Sequence, residues 1–257
     1  MIMTSYIPAF SDNYIWLIQK ENSPYIAIVD PGDAKPVLQA IKDHGYIPVA
    51  ILVTHHHSDH IGGIRQLTQH FPMPVYGPAN EGIASITNPV VEGDIVRLEK
   101  LDCSLQVLEV PGHTRGHIAY YTDKSLFCGD TLFTAGCGRL FEGSPEQMYA
   151  SLEKIASLPD DTLVYCAHEY TLDNLTFAKV VEPDSEALQT RIINTIAARK
   201  QGLATVPAPM SLEKATNPFL RCHLPSVISA AENFALKRLE SGAETFTIVR
   251  HWKDTLD

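Results

Sequence analysis

The sequence predicts a mixed α/β body followed by a helical appendage, and three observations carry that prediction. Short apolar segments separated by turn residues fill the first two-thirds of the chain, helical periodicity takes over beyond Thr171, and a histidine-rich loop follows one of the buried strands. The boundary near Thr171 divides the chain into residues 1–171 and residues 172–257. At 257 residues and 45% hydrophobic content the chain is large enough for a substantial core.

The elements follow in order. Tyr14 to Ile18 and Tyr25 to Val29 are neighbouring strands joined across Asn22-Ser23-Pro24. Asp30-Pro31-Gly32-Asp33 is a turn, and Lys35 to His44 has helical periodicity closed by Gly45. Val49 to Val53 is a buried strand, and a helix is expected from about Ile61 to Phe71. Further strands are expected near Val75, over 94–98, 105–110, 117–121, 126–128 and 163–166. Ser144 caps a helix from Pro145 to Leu158, with proline at its first position. Beyond Thr171, Asn174 to Val181, Asp184 to Gly202 and Pro225 to Ser241 read as helices between proline-containing loops.

Composition narrows the function classes. The net charge of −10 lies wholly in residues 1–171, where 20 acidic residues face 10 basic ones; residues 172–257 balance at 10 and 10. Such an acidic body argues against nucleic acid as a partner. Apolar runs fall far short of the ~20 residues that cross a bilayer, so no membrane partner is expected. The start of the chain has no basic segment or small-residue cleavage site, which reads against export. Five scattered cysteines without a CxxC spacing fit reduced thiols and a cytoplasmic location.

The chemistry is concentrated in Thr54-His55-His56-His57-Ser58-Asp59-His60, placed directly after the strand ending at Val53. In extended backbone, residues two apart share a face, so His55 and His57 can grip one metal while His56 points elsewhere. Asp59 and His60 lie a turn further on and suit a second metal beside the first. Three more metal-competent residues follow apolar strands: His113 in Pro111-Gly112-His113-Thr114, Asp130 in Cys128-Gly129-Asp130-Thr131, and His168 in Ala167-His168-Glu169. His117 reads as structural, His44, His70, His223 and His251 as surface residues, and Cys137 is not expected to be a ligand.

Taken in order, His55, His57, Asp59, His60, His113, Asp130 and His168 resemble the ligand series of the metallo-β-lactamase superfamily. Narrower segments make the chain similar to glyoxalase II, the hydroxyacylglutathione hydrolases: Ile7-Pro8-Ala9-Phe10 with Asp12-Asn13-Tyr14, Val29-Asp30-Pro31-Gly32-Asp33, Gly136-Cys137-Gly138-Arg139, Ala167-His168-Glu169-Tyr170-Thr171, and Arg250-x-x-Lys253-Asp254. The resemblance implies a four-layer αβ/βα sandwich with a C-terminal helical domain. It assigns one metal to His55, His57 and His113, the other to Asp59, His60 and His168, and places Asp130 across both. Asp59 and Asp130 are then the acidic members of the catalytic centre, and Asp30 an outer partner of a ligand histidine.

Nitrogen and carboxylate ligands suit two divalent ions, Zn²⁺ first, with Fe or Mn as alternatives. The implied reaction is attack by a metal-bridging hydroxide on the thioester S-(R)-lactoylglutathione, giving glutathione and D-lactate, the second step of methylglyoxal detoxification. Recognition would fall to Arg139, Phe141, Tyr170, Asn174, Arg250 and Lys253, with Arg250 and Lys253 sharing a helix face. Phe141 stands where many family members carry tyrosine, which implies a weaker KM rather than a different substrate. The alternative within the superfamily is a lactonase or a broad thioesterase. A monomer is expected.

Overall fold

A computed structural model describes residues 2–256, which form two compact units. The first comprises Met1–Glu109 and Thr114–Gly129, the second Val110–His113 and Asp130–Asp257.

The first unit opens with a six-stranded sheet: β1 (Ile2–Ala9), β2 (Asn13–Lys20), β3 (Tyr25–Val29), β4 (Ile47–Leu52), β5 (Val75–Pro78) and β6 (Asn88–Val90). β1, β2 and β3 are antiparallel, whereas β3 to β6 run parallel. Parallel strands require crossovers, and helix α1 (Ala34–His44) supplies the one between β3 and β4. Asp33 caps it by accepting the Lys35 N–H, and Gly45 closes it at φ 67°. Ile26, Ile28 and Ile51 from the strands pack with Val37 and Ile41 of α1. The unit continues as an antiparallel meander, β7 (Ile95–Leu98), β8 (Cys103–Glu109), β9 (Ile118–Thr122) and β10 (Ser125–Gly129). Two hydrogen bonds tie β9 to the end of β4: Tyr120 Oη donates to the Val53 carbonyl and Ile118 N to the Thr54 carbonyl, each at 3.0 Å.

One expected element is divided. The helix anticipated from Ile61 to Phe71 is α2 (Ser58–Ile61) followed by α3 (Ile64–His70). The break falls at Gly62-Gly63, where the turn after β3 brings its backbone close. A Cβ on Gly62 would lie 2.6 Å from the Gly32 carbonyl oxygen, and one on Gly63 2.6 Å from that of Pro31. Gly63 N instead donates to the Pro31 carbonyl at 2.8 Å.

The second unit carries the hairpin β11 (Leu132–Phe133) and β12 (Gly136–Cys137), helix α4 (Pro145–Ala156), strand β13 (Leu163–Cys166), helices α5 (Thr171–Val181) and α6 (Glu186–Lys200), strand β14 (Ala208–Pro209) and helices α7 (Met210–Thr216), α8 (Pro225–Ala235) and α9 (Gly242–Asp254). β13 and β14 pair antiparallel. Ser144 and Gln147 form a reciprocal capping box on α4. The helix expected from Pro225 to Ser241 stops at Ala235, where Leu236 turns left-handed at φ 54°, and Ser241 starts α9 as its cap. Phe177, Phe219, Phe246 and Trp252 interlock the helices through ring contacts. Arg191 of α6 and Glu213 of α7 form a buried ion pair. Glu213 also accepts the Ala135 N–H at 2.8 Å, steadying the β11–β12 turn where Ala135 has φ 58°.

Candidate metal centre

In the first unit the chain leaves β4 extended and delivers the histidine run as alternation requires. The rings of His55 and His57 lie 4.7 Å apart, while His56 turns away to Glu81. Asp59 and His60 fall in α2, with Asp59 Oδ2 3.5 Å from His60 Nε2. The His60 ring is also 4.1 Å from that of His55, so the four residues form one cluster. Asp30, at the end of β3 with φ 50°, accepts from His60 Nδ1 at 3.0 Å, from Thr54 N at 2.8 Å and from Thr54 Oγ1 at 2.7 Å. A carboxylate on Nδ1 fixes the ring and directs Nε2 towards Asp59. His117 is fully buried and stacks on His55 at 4.6 Å, a packing role.

Asn13, the first residue of β2, was not singled out by sequence reasoning. Its Nδ2 donates to Asp59 Oδ2 at 3.0 Å, which holds that carboxylate in place. The available signal was a polar amide opening an otherwise apolar strand, since a buried Asn needs a partner.

In the second unit, His113 Nδ1 donates to the Arg139 carbonyl at 2.7 Å. His113 Nε2 then lies 3.5 Å from Asp130 Oδ2, and His168 Nε2 lies 3.4 Å from the same oxygen. One carboxylate thus sits between two imidazoles. Gly138 permits this: a Cβ there would lie 1.9 Å from the Asp130 carbonyl oxygen. Tyr170 stacks on His168 at 4.8 Å with the rings 6° from parallel. All three residues are buried, in the manner of a rigid site rather than of surface histidines.

The expected substrate residues differ in their surroundings. Phe141 is 61% exposed and stands edge-on to His113 at 5.2 Å. Arg139 is half-exposed, with Nε 3.4 Å from Asp254. Asn174 is buried and donates to the Thr134 carbonyl at 3.1 Å. Arg250 is also buried, donating to the Cys137 carbonyl at 3.1 Å and to Asp254 at 2.8 Å, with its guanidinium over the Phe219 ring. Lys253 lies over Phe177. The helix face shared by Arg250 and Lys253 therefore turns into the unit rather than outward. Asp254, which joins Arg139 to Arg250, was quoted in the terminal motif without a role. Burial pushes the Cys137 thiol up to about 11 against the opposing charge of Arg250, so it stays protonated and is a poor ligand.

Residues 10–168 match the model of the metallo-beta-lactamase superfamily, and residues 169–256 match the hydroxyacylglutathione hydrolase C-terminus. The crystal structure of ETHE1 from Myxococcus xanthus superposes with a TM-score of 0.69 and 25% identity, covering 100% of this chain and 91% of that one. A structure of TTHA1623 in a di-iron-bound form gives a TM-score of 0.60 and 26% identity, covering 85% and 100%. Fold and His/Asp clusters together define a metallo-β-lactamase-fold protein of the kind that holds divalent metal ions. Over 248 residues the chain is 54% identical to the hydroxyacylglutathione hydrolase of Alkalilimnicola ehrlichii, covering 96% of this chain and 97% of the relative. The chain belongs to the hydroxyacylglutathione hydrolase family.

Proposed function

We infer that this protein hydrolyses the thioester of S-2-hydroxyacylglutathiones, S-(R)-lactoylglutathione foremost, to glutathione and the 2-hydroxy acid, and so completes methylglyoxal detoxification. The observation that carries this reading is the match of residues 169–256 to the hydroxyacylglutathione hydrolase C-terminus, on a chain whose preceding residues supply a full ligand series.

His55, His57 and His113 hold one divalent ion in this reading. Asp59, His60 and His168 hold the other, and Asp130 serves both. The donor set fits: five imidazoles and two carboxylates suit Zn²⁺, and also Fe or Mn. His60 and His113 have their Nδ1 atoms engaged by Asp30 and the Arg139 carbonyl, which presents Nε2 as donor. The near-equal distances of Asp130 Oδ2 to His113 and His168 support the shared role. We assign Zn²⁺ to both positions.

When bound at these residues, two such ions would lower the pKa of a water and stabilise negative charge on the thioester oxygen. The chain's own residues orient and exclude. Asp130 and Asp59 keep their carboxylates fixed, Asp59 by the hydrogen bond from Asn13. A thiol with a reference pKa near 8.5 departs as thiolate with little acid assistance, so no protein acid is required. Arg139 and Phe141 offer a cation and an apolar face to the substrate and Tyr170 a ring beside His168, while Lys253 is a buried cation over Phe177. Asn174 and Arg250 contribute by holding the hairpin backbone that follows Asp130. Residues 1–171 thus carry the chemistry together with the recognition residues Arg139, Phe141 and Tyr170, and residues 172–257 supply the rest of the recognition. Buried free thiols favour a cytoplasmic location, and a monomer is expected.

The test is direct. Purified zinc-loaded protein is offered S-(R)-lactoylglutathione, a homoserine lactone and a β-lactam, and thioester loss is followed. Turnover of the glutathione thioester with release of free thiol is expected. Silence on the thioester with turnover of the lactone would replace this reading by a lactonase.

A further inference from the structure

We propose that Glu81 is a positioning residue for the metal-binding histidines of the first unit, clamping the backbone that carries them. Glu81 follows β5, and its side chain is only 2% exposed. One carboxylate oxygen accepts the backbone N–H of His56 at 2.9 Å and also engages His56 Nδ1. The other accepts the backbone N–H of Gly116 at 2.7 Å. The approach is close: a Cβ on Gly116 would lie 2.8 Å from Glu81 Oε1, so the carboxylate would have to shift to admit one.

The geometry explains why that grip bears on His55 and His57. In an extended segment, rotating the chain about its own axis exchanges the two faces. Such a rotation would carry His55 and His57 out together. Glu81 holds His56 by both its main chain and its ring, on the opposite face, and so opposes it. Its second oxygen fixes the residue preceding His117, whose ring stacks 4.6 Å from His55. One buried carboxylate therefore sets the ligand strand from behind and the ring that supports His55 from the side. Sequence spacing hides this role, because Glu81 lies 25 residues from His56 and 35 from Gly116.

The proposal rests on His55 and His57 being metal ligands, and its test separates the two claims. Zinc affinity of the full-length protein is measured by competition with a chromogenic chelator, well below the melting temperature, for wild type, Glu81→Ala, Glu81→Gln, His56→Ala and His55→Ala. Glu81→Ala should weaken zinc binding about 10–100-fold, the usual range for outer partners of metal ligands. Glu81→Gln, which keeps one carbonyl acceptor and the shape, should weaken it less. His56→Ala, which leaves the backbone hydrogen bond, should also fall between wild type and Glu81→Ala. KM for the thioester should stay within about twofold while kcat falls in step with zinc occupancy and recovers at excess zinc. A lowered melting temperature with unchanged zinc affinity in both Glu81 variants would overturn the positioning role and leave Glu81 as packing. If Glu81→Ala does not fold, the Glu81→Gln comparison alone decides. Zinc affinity indifferent to His55→Ala would overturn the metal assignment and the proposal with it, whereas sensitivity to His55→Ala with indifference to Glu81 overturns Glu81 alone.

Discussion

Single side chains define what can be tested first. Asp130 places one oxygen within 3.5 Å of two imidazole nitrogens, an arrangement with no substitute elsewhere in its cluster. Asp130→Asn keeps the shape and removes the charge that would serve both ions. Metal content should fall by about one ion per chain, and kcat by more than the ~100-fold upper range for outer-shell changes; elemental analysis with steady-state kinetics checks both. The thiols give a second residue-level test. All five cysteines are buried, and burial pushes Cys166 up to about 12 and Cys137 to about 11 from an ordinary value of 9.0. Native protein at pH 8 should therefore leave a thiol reagent unconsumed, and unfolding should release five equivalents. The linkage has a definite sign. A thiol whose folded value is raised stabilises the fold fully below the unfolded value and loses that contribution as pH climbs. The melting temperature should decline between pH 9 and 11, with no matching decline between pH 7 and 8.5.

Among elements, the most instructive are the short ones. α4 starts at Ser144 and Pro145 as the sequence implies, and Gln147 completes a reciprocal capping box that the structure adds. Ser144→Ala should cost about 1 kcal/mol, read as a shift in the urea midpoint without a change in slope. α2 and α3 teach the opposite lesson. A periodic apolar pattern ran through Gly62-Gly63 and predicted one helix, yet the helix breaks there, and backbone from Pro31-Gly32, about thirty residues earlier, occupies the space a side chain at either position would need. Gly63→Ala should destabilise by roughly 1–3 kcal/mol through overpacking and lower metal occupancy, since α2 carries Asp59 and His60; calorimetry and metal analysis measure the two effects. The histidine run was legible because its information is local, written in alternation after a strand. Asn13 on Asp59, Asp254 between two arginines and the inward face of Arg250 were not, because each depends on a partner many residues or a whole helix face away.

For the molecule as a whole, stability is a small difference of large terms, about 5–15 kcal/mol. Against that margin the buried Arg191–Glu213 pair matters. Glu213 is fully buried and joins α6, α7, Ala135 and Asn217. Arg191→Met strands that carboxylate and should cost about 3–5 kcal/mol, enough to depress soluble yield, whereas Arg191→Met with Glu213→Leu should recover much of the loss. Chemical denaturation of the two variants tests this; equal destabilisation by both would deny the pair its charge-balancing role.

The interleaving of the two units sets an order for synthesis. Every strand of the first unit has been translated once Gly129 is made, so that unit can condense while half the chain is still to come. Val110–His113 pack instead with a unit whose remaining members start at Asp130. At about 5–20 residues per second, His113 waits on the order of ten seconds on a nascent chain for its neighbours to emerge. A nascent chain stalled at Gly129 would thus carry the whole first unit, histidine run included, before Asp130 and His168 have been made.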